Sequence, residues 1–391
     1  MGLFILRRVG VMMLTALCLT FIVFFLTNLY PNLEKLAKSE GNFRMTDIEV
    51  ATWLSRNGYR SPVDPDVLAQ FRSGQITQEE ASSLVNTGFD PRLLRNYGEW
   101  LGVLPGFVIE DSEGNVSARC VLPGMTLDQA PKFCGILQGH WGWSTQFKQP
   151  VGDLVATRLG LTGKLMFWVI VLMVPSALIV GVLAGMREGS VTDRALSTFS
   201  ITTTATPEYV SGVIFIALLA SSKYGLSPLL VEWGWIESKT LFKGSAASAM
   251  DNATFENFFL PVLTIALYGM GYIARMTRAS MAEVMTSQYI RTARLKGVSF
   301  PNIVMKHALR NALIAPFTVI MLQFPWLLNG VVIVETLFSY KGFGWNLVQA
   351  AGNNDIEMLL GVSVVSVIVV LVTQLISDIG YVYLNPRISV T

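Results

Sequence analysis

Charge is scarce in this sequence. Only 14% of its 391 residues are charged, against about 25% in an average soluble domain. Apolar residues make up 52%, and the mean hydropathy is +0.49. Such a chain cannot cover its apolar surface with its own polar groups, which excludes an ordinary water-soluble globule and makes lipid its main solvent. Histidine is almost missing. His140 and His307 are the two present, and neither has a neighbour at metal-ligand spacing, so no metal site is expected. Of the three cysteines, Cys18 lies in an apolar run and reads as small apolar packing. Cys120 and Cys134 share one polar segment and are a candidate disulfide in an oxidising compartment, or two free thiols otherwise. The phosphate-cradling pattern of Gly, four residues, Gly-Lys and then Ser or Thr is also lacking, since the one Gly-Lys pair, Gly163-Lys164, precedes Leu165. No hydrolysis of ATP by this chain itself is expected. No Ser/His, paired-Asp or metal motif lies in the apolar runs, which argues against an intramembrane enzyme. No inverted repeat is visible, which argues against a self-sufficient secondary carrier.

What the sequence does have is length of apolar run. Such runs occur at about 9–30, 165–186, 195–220, 258–273, 312–338 and 358–384. A spanning helix needs about 20 mostly apolar residues. Five runs reach that length, and the run from 258 does so when extended a turn toward Arg275. Continuous runs exclude the alternating pattern of a barrel, and lipid demands that backbone groups pair within the segment. The expected fold is an all-α polytopic membrane protein with six transmembrane helices. Arg7 and Arg8 precede the first run, which is too long for a signal-peptide core and reads as a retained anchor. Lys and Arg are concentrated in the loops that share a side with Arg7 and Arg8, so both termini are expected to be cytoplasmic. The expected blocks are 1–30 (tail and first helix), 31–164 (a large periplasmic or extracellular insertion between helices 1 and 2) and 165–391 (a five-helix core with a cytoplasmic loop at 275–312).

The insertion is rich in turn signals such as Asn57-Gly58 and Asp90-Pro91, and Thr77 with Glu80 makes a capping box. It reads as a small, mostly helical, loop-rich domain with balanced charge. Trp233 and Trp235 lie in a second outside loop, where they suit either the headgroup layer or packing on the insertion.

The strongest local pattern is the basic stretch from Arg275 to Asn311. Met281, Met285, Tyr289 and Ala293 recur every four residues, as on one helix face. Gly297 stands where a left-handed C-cap is wanted, and Ser299 is placed to cap a second helix carrying Ile303, His307 and Ala308. Two short helices joined at Gly297 are expected. They suit adhesion to anionic lipid, or insertion of a rigid knob into a partner protein, where small Ala293 and Gly297 allow close approach.

Tyr289-Ile-Arg-Thr-Ala-Arg-Leu-Lys-Gly297, followed by Lys306-His-Ala-Leu-Arg-Asn-Ala312, resembles the coupling-loop motif of inner-membrane permeases of ATP-binding cassette importers, in the branch that carries oligopeptides, dipeptides and nickel. Arg291-Thr292-Ala293 stand where the general motif has Glu-Ala-Ala, a variant usual in the peptide branch. Gly139-His-Trp-Gly-Trp-Ser144, Pro150-Val-Gly-Asp153, Glu335-Thr-Leu-Phe-Ser-Tyr-Lys-Gly-Phe-Gly344, Asp355 and Asp378-Ile-Gly-Tyr381 through Asn385-Pro-Arg387 extend the resemblance over most of the chain. It offers no template for about 32–96, where the insertion is longer than usual. The resemblance implies a permease subunit of the bacterial inner membrane that imports di- or oligopeptides; a nickel chelate, a sugar or another small solute are the alternatives. It implies a second homologous permease subunit, two cytoplasmic ATPase subunits holding ATP and Mg, an external solute-binding protein, contact with lipid and no nucleic acid. It assigns ATPase coupling to Tyr289, Arg291, Thr292, Ala293, Arg294, Lys296 and Gly297.

Polar residues within spans are rare and often functional. Glu208 after Pro207, Gln323 near Pro325, and Asn329 are candidates for a translocation path. The competing reading is interhelical hydrogen bonding or a place near the outer interface, which is the expectation for Glu335 and Asp378 near span ends.

Overall fold

The computed structural model describes residues 2–85, 87–110, 116–119, 128 and 131–384, so Cys120 and the Asn385-Pro-Arg387 ending lie outside the described residues. Helix dominates. Among the described residues four helices are long and apolar enough to cross a membrane: α1 (Gly2–Thr27), α7 (Val151–Gly185), α11 (Phe255–Met285) and α17 (Ile356–Leu384). Two bent pairs, Val191–Ala205 with Glu208–Ala220 and Phe300–Ala312 with Ile314–Gln323, bring the number of candidate spans to six if each pair counts as one.

Two boundaries differ from the apolar runs. The run 195–220 is not one straight helix. It is α8 (Val191–Ala205) and α9 (Glu208–Phe215), bent by 103°. The cause is local: Pro207 has no N–H to give and excludes helical geometry at the residue before it. Thr206 is accordingly extended, at φ −91° and ψ 119°. Helix α7 starts at Val151, well before the apolar run at 165. Its first turns are amphipathic, with Val151, Leu154 and Val155 buried between polar Asp153, Thr157 and Arg158, so they do not read as a span.

The chain packs as two compact units. One is built from Val9–Ala156 and Leu347–Val367. Its short helices are α2 (Tyr30–Glu40), α3 (Asp47–Arg56), α4 (Pro65–Arg72), α5 (Gln78–Ser83) and α6 (Arg92–Leu101). The capping box of Thr77 and Glu80 is present at the start of α5. The core gathers Leu33, Val50, Leu54 and Trp100 with Ile356, Leu360 and Val364, one face of the first turns of α17. The described residues depart from the all-helical expectation where Val108–Glu110 (β1) pairs antiparallel with Val116–Ala118 (β2). Asp355 is buried. It accepts hydrogen bonds from the Ser144 hydroxyl at 2.5 Å and from the Met358 N–H at 3.1 Å, and so fixes the start of α17.

The other unit is built around Thr157–Asn346 and takes the C-terminal half of α17 from Ile368, together with the first residues of α1. It adds α10 (Leu226–Glu232), α12 (Gln288–Leu295), α13 (Phe300–Asn302), α14 (Leu309–Ala312) and α15 (Ile314–Leu337); α16 (Phe343–Gly352) begins within it. Helix α11 is the central post, packed by α8, α9 and α15. Small residues permit the close crossings: a Cβ at Gly271 would overlap the Thr203 hydroxyl and the Ser200 carbonyl. Glu335 is fully buried and accepts from the Thr162 hydroxyl and, at 2.9 Å, from the Trp345 N–H. Asp378 accepts from Arg8 Nε at 2.6 Å. Both carboxylates thus serve helix-to-helix bonding, as expected of them.

Candidate functional site

The basic stretch forms a compact hook on the end of α11. That helix carries Arg275 and Arg278 as part of its own length and stops at Met285, where the chain breaks for two residues. Ser287 is extended, at φ −66° and ψ 152°, and α12 begins after it. The end of α12 is a Schellman motif. The Val298 N–H reaches the Ala293 carbonyl at 3.2 Å, the Gly297 N–H reaches the Arg294 carbonyl at 3.0 Å, and Gly297 has φ +73°. Ser299 then opens α13 in extended geometry, with Pro301 in its first turn, although its side chain makes no cap bond. A π-helical turn at Ile303–Ala308 follows, then α14.

The break at Thr286 and Ser287 resets the helix phase. The expected face of Met281, Met285, Tyr289 and Ala293 is therefore shifted by one position: Met281, Met285, Ile290 and Ala293 are buried together, and Tyr289 is exposed. In the second half of the hook Ile303 and Ala308 are buried as expected, but His307 faces outward. The inner face packs on Val182 and Met186 at the end of α7. Arg187 stacks on the Phe300 ring at 5.2 Å, and Asn311 Nδ2 donates to the Tyr289 hydroxyl at 3.0 Å.

The seven residues singled out in the sequence therefore divide. Ala293 is spent on the chain's own packing and presents nothing outward. Tyr289, Arg291, Thr292, Arg294, Lys296 and Gly297 are exposed, and a Cβ at Gly297 would meet nothing within 4 Å. Among them stand two apolar side chains that sequence reasoning missed, Leu295 at 82% exposure and Met305 at 61%. The signal for Leu295 was its place opposite Ile290 and Ala293, readable only after the phase reset. An exposed leucine ringed by Arg291, Arg294 and Lys296 is a surface that fits an apolar socket with an acidic rim.

The pathway candidates lie on two helices that pack together, α9 and α15. Glu208 is half-buried in the first turn of α9, and Gln323 is buried in α15. No hydrogen bond or ion pair joins these two. Asn329 lies in α15, with its side chain outside the described residues. Cys134 is buried, and its expected partner Cys120 is not described.

Residues 177–390 match the family described as binding-protein-dependent transport system inner membrane component. Over 261 residues the chain is 33% identical to the dipeptide transport system permease protein DppB of Haemophilus influenzae, covering 65% of this chain and 78% of that protein. It is 32% identical to the oligopeptide transport system permease protein AppB of Bacillus subtilis, over 65% and 77% of the two chains. It is 29% identical to the glutathione transport system permease protein GsiC of Escherichia coli, over 64% and 76%. The family match takes in more than half of the chain, from the end of α7 through the hook and on past α15, and this chain belongs to the binding-protein-dependent transport system inner membrane component family.

Proposed function

We propose that this multi-pass chain is a permease subunit of an ATP-driven importer of di- or oligopeptides in the bacterial inner membrane. Peptide transport is what the names of its relatives share. The six-span reading, with both termini cytoplasmic and 31–164 outside, keeps the hook on the cytoplasmic face. Its partners are a second homologous permease, two cytoplasmic ATPase subunits that bring ATP and Mg, and an external solute-binding protein. Glu208, Gln323 and Asn329 remain the candidates for the solute path, and Cys120 with Cys134 for a disulfide on the outside.

The observation that carries the reading is the hook itself. It is braced from within by Ile290, Ala293 and Ile303, and its rigid outer face combines basic residues with exposed Leu295. Lipid adhesion needs no such bracing, whereas force transfer from an ATPase does. In this reading Ala293 braces the hook and does not touch the ATPase. Gly297→Trp gives the test. Space around Gly297 is open within the chain, but its φ of +73° strains any side chain there, so Gly297→Ala, which carries the same backbone strain without the indole, is the control and keeps transport. In Gly297→Trp, transport and solute-stimulated ATPase activity are lost in the assembled complex while membrane insertion is kept. Full transport by that variant refutes the docking role.

A further inference from the structure

We infer that the groove between α7 and α11 is a binding site for one anionic phospholipid, with an acyl chain in the groove and the phosphate on Lys164. This goes beyond the transport function and does not depend on it.

A cavity of about 440 Å³ opens between the two helices. Trp168 and Val171 of α7 face Phe255, Phe258, Phe259 and Val262 of α11 across it. The α11 residues recur at intervals of three and four, so they form one continuous stripe; Glu256 lies about a quarter turn off that stripe. The rings of Phe255 and Phe259 lie 4.7 Å apart and make a stiff wall. The lining is open to the surroundings, with Trp168 48% and Phe255 69% exposed. An apolar cleft this open would be a liability in water. Between two candidate spans it is a slot for a hydrocarbon chain.

Lys164 selects the occupant. It lies one turn before Trp168 on the same face of α7, directly before the apolar run that starts at Leu165. That is the level at which hydrocarbon gives way to headgroups, where Trp and Lys are favoured. Its Nζ lies 5.9 Å from the centre of the Phe258 ring and 3.5 Å from the Ala249 carbonyl oxygen. Among the described residues its ammonium meets no carboxylate. A cation held at the mouth of an apolar slot by a ring and a carbonyl matches the layout of a phospholipid: anionic head at the interface, tail below it.

The test is native mass spectrometry of the full chain in mild detergent, titrated with phosphatidylglycerol or phosphatidylcholine. The wild type retains one phosphatidylglycerol, preferred about fivefold, which is the worth of one basic residue at an anionic surface. Lys164→Gln abolishes the preference and Lys164→Arg keeps it. Phosphatidylglycerol with brominated acyl chains quenches wild-type tryptophan fluorescence more than that of Trp168→Phe, which locates the chain. A preference that survives Lys164→Gln overturns the inference, and so does equal quenching in both proteins. Val171→Trp fills the slot and removes the bound lipid. If it leaves lipid binding intact and breaks association with the second permease subunit, the occupant is that subunit and the inference fails.

Discussion

Arg278 grips Asp193 with two parallel hydrogen bonds, Nε to Oδ1 at 2.9 Å and Nη2 to Oδ2 at 2.8 Å. Asp193 is buried and also accepts from the Gly189 N–H and the Ser197 hydroxyl. The pair ties the start of α8 to α11 two turns before the hook.

The two partners are unequal, because the guanidinium is partly exposed and the carboxylate is not. Arg278→Ala strands a buried charge and costs roughly 3 kcal/mol or more. Asp193→Asn turns an amide N–H toward groups that donated to the carboxylate, but the charge it leaves unpaired is the partly exposed guanidinium, so it costs less. Thermal unfolding of the purified chain checks this order, and a larger loss for Asp193→Asn contradicts it.

Gly342 has no room for a methyl group, since a Cβ there would overlap the Glu335 carboxylate and the Thr162 hydroxyl. Gly342→Ala is expected to cost about 1–3 kcal/mol through overpacking. Gly352→Ala, where a Cβ would meet nothing within 4 Å, stays within about 0.5 kcal/mol of wild type. Comparing the two unfolding midpoints separates this steric effect from a general intolerance of alanine.

Leu295 is 82% exposed. Leu295→Asp therefore leaves stability within about 0.5 kcal/mol of wild type, yet places an acid in the centre of the proposed docking face. Loss of solute-stimulated ATPase activity in the reconstituted complex, with an unchanged unfolding midpoint, is the expected outcome. Normal coupling means that the partner does not touch this side chain.

Asp90 makes its unit sensitive to acid. Burial alone raises its pKa, but the Ser61 N–H and hydroxyl and the Arg92 N–H donate to it and Arg60 lies beside it, so the carboxyl is held below its usual range. A depressed folded-state value contributes stability above the unfolded pKa of about 3.9, and that contribution is lost as pH falls through the lower folded value. Limited proteolysis of residues 57–95 should accelerate below about pH 4. Asp90→Asn should be cleaved faster at neutral pH and show little further change in acid.

Much of the local structure was legible in the sequence. The capping box at Thr77 and Glu80 and the left-handed Gly297 depend on residues three or four apart, and both formed as read. The run 195–220 read as a single span, whereas the structure bends it by 103° at Pro207. The amphipathic start of α7 was hidden because alternating polar residues dilute an apolar run. In the hook, two non-helical residues reset the phase, and with it which side chains face in.

The sequence by itself determined that this chain lives in lipid, roughly where its long apolar helices fall, and where the hook turns, because apolar run length and glycine act through neighbouring backbone. Only the tertiary structure decided which side each residue serves. Ala293 became packing and Leu295 surface, and Glu335 found Thr162 173 residues away. Those outcomes depend on how helices remote in sequence pair across a core, and no spacing within one helix encodes them.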